Sequence, residues 1–112
     1  MGHQDTRGLR FAFDAKAEIA PESDSKAVVT ARVTELSLQG CFVETSKSFD
    51  LQCPVLLKIF AADQHVEAHA VVLYARQSGV GLAFREMKPD FRDVLQKWVL
   101  QMLDTQVALS QN

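Results

Sequence analysis

Two short segments carry the residues best suited to gripping a small anion. Arg7-Gly8-Leu9-Arg10 stands immediately before the first alternating stretch, and Glu35-Leu36-Ser37-Leu38-Gln39-Gly40 stands at the break after the second. A guanidinium is a planar fork that matches phosphate oxygens and the O6/N7 edge of guanine, and it stacks on purines. Ser37 offers a compact hydroxyl, and Glu35 an acceptor for a guanine N1/N2 edge. Gly40 tolerates positive φ and close backbone approach. Arginines near a terminus also read as a solvated tail, so this corner depends on the elements around it.

Other chemistry is poorly supported. His65 and His69 would be a ligand pair on a helix, but on a strand they share a face roughly 13 Å apart at ~3.3 Å per residue. They read as solvent-facing residues. Cys41 and Cys53 match no metal spacing, and nothing around them suggests an activated thiolate. The plain reading is two half-buried, reduced thiols. Gly79-Val80-Gly81 lacks the third glycine and following helix of a dinucleotide fingerprint. It reads as a hairpin turn followed by a strand glycine that lets another group come close. Asp14 with Glu18, or Glu35 with Glu44, could be carboxylate pairs, but scattered acids on strand exteriors are commoner. Neither a catalytic residue nor a metal ligand is assigned, and an enzyme is not expected.

Composition narrows the partner. With 112 residues the chain has room for one domain, and 47% hydrophobic with 23% charged residues is ordinary for a globular protein. Twelve Lys+Arg against fourteen Asp+Glu give a net charge of -2. That balance argues against gripping a nucleic acid polymer through bulk charge, so any basic site is local. No apolar run approaches the ~20 residues of a membrane-spanning helix. Met1 to Arg10 is polar and lacks the apolar stretch of a secretory signal. A cytoplasmic protein without membrane insertion is expected.

The elements that must position the anion corner follow from periodicity. Arg10 to Ala20 alternates, with Phe11, Phe13, Ala15, Ala17 and Ile19 on one face. Pro21 to Ser25 is a turn cluster, Ala27 to about Leu36 a second strand, and Cys41-Phe42-Val43-Glu44 resumes the pattern. Thr45 to Gln52 reads as a loop. Pro54 opens Val55 to Ala61, Asp63-Gln64 looks like a hairpin turn, His65 to Arg76 is the longest strand, and Val80 to Phe84 a short last one. About six successive antiparallel strands favour a closed or nearly closed barrel, since closure removes edges.

The last quarter is helical. Pro89 suits a first helical position, and Asp90 and Asp93 suit the positive end of the helix dipole. Phe91, Val94, Leu95, Trp98, Val99, Met102 and Leu103 form one broad apolar stripe, which Val107 and Leu109 could extend. The stripe must be covered, by the barrel mouth or by a second subunit. The terminal Ser110-Gln111-Asn112 is expected to fray.

The order of these segments resembles the PilZ domain family. Its members carry an RxxxR arm, a first strand, and D/N-x-S-x-x-G after the second strand. Glu35-x-Ser37-x-x-Gly40 with Cys41-Phe42-Val43-Glu44 is similar to that second motif and the strand continuing from it. Gly79-Val80-Gly81-Leu82-Ala83-Phe84 resembles the family's closing Gly-x-Gly-x-x-Phe strand, and the helix after Pro89 also fits. The likeness spans roughly Arg7 to Leu103. Two departures stand out: the first arginine of the arm falls on Thr6, with Arg7 one place later, and Glu35 replaces Asp or Asn.

The resemblance implies a mainly β fold, a six-stranded antiparallel PilZ-like β-barrel with a C-terminal α-helix. Residues 1–10 would be a flexible arginine-bearing arm and 11–109 the barrel domain with its helix. It further implies a small non-enzymatic bacterial receptor or adaptor for the second messenger cyclic di-GMP. Arg7, Arg10, Glu35, Ser37 and Gly40 would bind the ligand, and ordering of the arm would signal to an unidentified downstream protein partner. No cofactor is implied, and a monomer or homodimer is expected. Arg32, Arg76 and Arg85 are further cations that sequence does not place. The alternative is a degenerate PilZ-like interaction module that binds no nucleotide, the reading that Thr6 and Glu35 favour.

Overall fold

The alternating segments become strands because each presents one apolar face to a shared interior. In the computed structural model, which describes residues 10–110, they are β1 (Phe11–Pro21), β2 (Val29–Leu36), β3 (Gly40–Glu44), β4 (Pro54–Ala61), β5 (Gln64–Arg76) and β6 (Gly79–Glu86). One helix follows, α1 (Pro89–Ser110). Residues 1–9, and with them Arg7 and Thr6, lie outside the described residues. So do Gln111 and Asn112 and the side chains of Val107 and Leu109.

Every pairing is antiparallel, and the order β1-β2-β3-β6-β5-β4 closes as β4 pairs with β1. Closure leaves no open strand edge. Strand boundaries shift by one or two residues from those the periodicity gives. A 3-10 turn, Glu22–Asp24, fills the connection after β1, and β2 begins at Val29 rather than Ala27. The β4–β5 turn residues are Ala62 and Asp63, not Asp63-Gln64, since both hold positive φ (52° and 62°). Two successive positive φ values match the twist of a tight hairpin.

The core is the barrel interior. Ala17, Ile19, Val33, Leu36, Val55, Leu57, Ile59, Val66, Val72 and Leu82 are all fully enclosed. The helix supplies the rest. Leu95, Trp98 and Val99 are buried in the same cluster, with Phe91, Val94, Met102 and Leu103 partly buried against it, and Phe13 meets Trp98 at 5.5 Å between ring centroids. The apolar stripe is thus covered by this chain's own barrel, chiefly by β5.

Leu95→Ala is therefore expected to cost about 2–5 kcal/mol, read by urea unfolding. A loss below ~1 kcal/mol would mean that the helix does not complete the core. Trp98 differs: its buried Nε1 has no hydrogen-bond partner among the described residues. Trp98→Phe deletes that orphan donor, and so should cost less than Leu95→Ala.

Candidate functional site

Strict alternation would send Glu35 inward with Ala31 and Val33, and Tyr74 inward with Val66, Ala68, Ala70 and Val72. Neither points inward, because the register slips at both places. Val33 pairs with Val43 but Glu35 pairs with Phe42, so β2 carries one extra residue, Thr34. Val72 pairs with Leu82 but Tyr74 pairs with Gly81, so β5 carries Leu73 as its extra residue. A third irregularity lies on β1 between Ala12 and Ala15. A bulge reverses the faces of every residue beyond it.

The result is one row across the outside of the barrel: Ala12, Glu35, Phe42, Gly81 and Tyr74, each directly opposite the next on β1, β2, β3, β6 and β5. Gly81 is the gap in that row. A Cβ there would lie 2.2 Å from ring carbons of Tyr74, so the tyrosine ring lies flat over the bare backbone. It reaches across β6 to stack on Phe42, with ring centroids 6.2 Å apart. Phe42 is buried, yet it sits outside the core cluster, beneath this surface layer.

Two arginines close on the aromatic pair. Arg10 donates from Nη1 to the Tyr74 hydroxyl at 2.9 Å and to Glu35 Oε1 at 3.4 Å, with its guanidinium carbon 5.9 Å from the Tyr74 ring centre. Arg76 lies 5.1 Å from the Tyr74 ring centre and 5.4 Å from that of Phe42. Both distances fall within cation–π range. The Tyr74 hydrogen bond, and after it Glu35, raise the Arg10 pKa against the opposing effect of partial burial. The face therefore keeps its positive charge at any physiological pH.

Beside the row is the Ser37–Gly40 turn. Buried Ser37 accepts from the Gln39 and Gly40 amides at 3.2 and 3.1 Å and donates to the Gly40 carbonyl at 3.2 Å. Its hydroxyl shapes the turn. Gly40 does not adopt the positive φ that glycine would allow. Its need is for close approach: a Cβ would sit 2.1 Å from the Leu82 carbonyl oxygen on β6.

Of the expected ligand residues, Arg10 and Glu35 are brought into contact, Ser37 and Gly40 stand in the adjoining turn, and Arg7 lies outside the described residues. Tyr74 and Phe42 escaped the sequence reading as site residues, and Arg76 was named there only as a cation without a place. Their signal was Gly81, a bare position between two strands with bulky residues, but the bulge concealed which face those residues share. The three unplaced arginines separate. Arg76 joins this face, Arg32 is engaged by Asp14, and Arg85 lies far along β6 in a separate groove.

The remaining candidates resolve simply. His65 and His69 are exposed and contact Glu67 and Glu22 at 3.0 and 3.2 Å. No cluster able to hold a metal ion occurs among the described residues. Cys53 is half-buried as expected, but Cys41 is fully buried in the barrel. Both are free thiols. Burial pushes the Cys41 thiol from 9.0 up to about 12, with Arg10 opposing slightly.

Since the folded pKa is raised, this stabilising contribution is intact below pH 9.0 and is lost as pH rises from there toward about 12. Thiol titration of the native protein near pH 8 should therefore find one fast cysteine, Cys53, with Cys41 reacting only on unfolding. The urea midpoint should fall above pH 9, and Cys41→Ala should flatten that fall. Equal native reactivity of both thiols would contradict the buried placement.

A closed six-stranded barrel packed by a C-terminal helix thus carries an arginine–aromatic face on its outside. The family model of the PilZ domain matches residues 4–101, and this chain belongs to that family. Two solved structures share the fold. The PilZ domain of CeSA from a cellulose-synthesizing bacterium is 17% identical with a TM-score of 0.69, covering 84% of this chain and 97% of that one. The Bacillus subtilis inhibitor of motility, MotI/DgrA, is 17% identical with a TM-score of 0.71, covering 88% of this chain. This chain spans about half of that protein, 51%. A search of curated proteins finds no match. No helix among the described residues is long and apolar enough to cross a membrane.

Proposed function

We propose that this chain is a non-enzymatic receptor for cyclic di-GMP that signals through a partner protein. The observation that carries the reading is Arg10, held at the entry to β1 directly over Tyr74 and beside Glu35. A purine stacks on a flat arginine–aromatic surface, and guanidinium forks bind phosphate in pairs. Arg10 and Arg7 would meet the phosphates, Glu35 the guanine N1/N2 edge, and the Ser37–Gly40 turn would hold the backbone close to the ligand. Tyr74 and Arg76 extend the stacking surface. A compact dianion suits a chain of net charge -2 better than a polymer does. The N-terminal arm would gain charge partners on binding and change the surface that a partner meets.

A second reading has its own support. The Arg10 Nη1 is already engaged by Glu35 and Tyr74, and the Ser37 hydroxyl by its own turn. With Thr6 in the arm, these contacts suit a domain that has given up the nucleotide and works as an interaction module.

Thermal unfolding with and without cyclic di-GMP separates the two. A binder gains about 2.7 kcal/mol at a hundredfold excess of ligand over its dissociation constant. An unchanged melting temperature, with no calorimetric heat at tens of micromolar, would leave only the interaction module.

A further inference from the structure

A second feature lies away from this face. A groove of about 600 Å³ opens on the outside of the barrel between β4, β5, the end of β6 and the first turn of α1. Its apolar floor includes Leu56, Met87 and Phe91, all half-buried. The Phe91 wall is preset, because its ring packs on His65 at 5.2 Å and His65 stacks on Phe60 at 5.9 Å. Around the floor stand four exposed cations: Lys58 on β4, Arg85 on β6, Lys88 in the connection and Arg92 on α1. None of them forms an ion pair among the described residues. Glu67, held by His65, and Glu86 are the only carboxylates in the lining.

We infer that this groove docks an acidic segment of a partner protein that inserts one bulky apolar side chain. The volume lies in the range of pockets that enclose a compact group. Charge complementarity chooses the occupant, since unpaired positive charge gathers here on a chain that is acidic as a whole. The distribution of that charge then narrows the class. The four cations come from different elements and all remain exposed, so they form no buried cage for a single phosphate. Glu67 and Glu86 within the lining would repel a polyanion of regular charge spacing. A peptide can set its carboxylates against the cations, avoid the two glutamates, and place an apolar anchor on Leu56, Met87 and Phe91. Such anchored apolar contacts, ringed by charge, dominate interface energetics.

The test uses the full chain and a short synthetic peptide of Asp and Glu around one central Phe, followed by amide chemical shifts. Shifts centred on Lys58, Arg85 to Lys88 and Arg92, weakening as salt rises from about 50 to about 500 mM, support the docking. Lys58→Glu with Arg92→Glu should lower affinity at least about tenfold, as should Phe→Ala in the peptide. Arg85→Gln with Lys88→Gln gives a second variant should the first fold poorly. The inference is overturned by shifts that fall elsewhere, by no shifts at millimolar peptide, or by equal binding of a Lys-rich peptide of the same length. Tighter binding of a short DNA duplex or of anionic vesicles at the same residues would also overturn it.

Discussion

Arg10→Ala is expected to weaken cyclic di-GMP binding by about one to two decades, with folding almost untouched. Losing hydrogen bonds from a charged donor costs roughly 1.5–3 kcal/mol, which is that change in dissociation constant. The barrel should not notice, since Arg10 precedes β1 and its side chain is 41% exposed. Its contact with Glu35 is an exposed ion pair, of a kind worth ~0–1 kcal/mol to stability. Arg10→Lys should recover little, because an ammonium lacks both the fork and the flat face that stacks on Tyr74. Tyr74→Phe keeps the ring and deletes only the hydroxyl that positions Arg10, so its loss should be the smaller. Calorimetric titration of the four proteins checks the order. Wild type and Arg10→Ala binding equally would remove Arg10 from the site and, with it, the proposed face.

Gly40→Ala is expected to produce a large loss of stability, about 3 kcal/mol, in the range of severe overpacking. The added Cβ would fall 2.1 Å from the Leu82 carbonyl oxygen, and that atom is backbone in a paired strand. Relief requires β3 and β6 to part where Gly40 faces Ala83 and where the Phe84 amide donates to the Gln39 carbonyl at 2.8 Å. Gly81→Ala makes the instructive contrast. There the clash is with the Tyr74 ring, a side chain that can swing away. Its cost should appear less in the urea midpoint than in ligand affinity, because moving the ring breaks the Phe42–Tyr74 stack and frees Arg10. If both variants melt alike, the distinction between backbone and side-chain obstruction is wrong.

Much of the barrel is legible in the chain. Ala15, Ala17 and Ile19 alternate, as do Val55, Leu57 and Ile59, and each set is buried. The 3.6-residue stripe from Phe91 to Leu103 likewise marks α1. These patterns are local: burial of one face imposes its period on the segment that carries it. What covers the stripe is not local, and the barrel mouth rather than a second subunit emerges only when the strands close.

The site is legible in part. Arg10 at the entry to β1 and the Glu35-x-Ser37-x-x-Gly40 turn can be picked out by type and spacing, although Gly40 is required for close approach and not for positive φ. Tyr74 cannot be found this way. Counting by twos along β5 places it inside with Val72, and only the pairing of Val72 with Leu82 and Tyr74 with Gly81 turns it out. Glu35 is carried to the outer face by the same device on β2.

The sequence by itself therefore determined the strand-rich plan, the closing helix, the local basic corner and the PilZ likeness. The tertiary structure alone decided that Glu35, Phe42, Gly81 and Tyr74 form one outward row with Arg10 and Arg76 upon it, and that Lys58, Arg85, Lys88 and Arg92 meet around a separate groove. The physical reason is that alternation is set within a strand, whereas a bulge belongs to the register between two strands. One extra residue in that register reverses a face, and no window of sequence contains both partners.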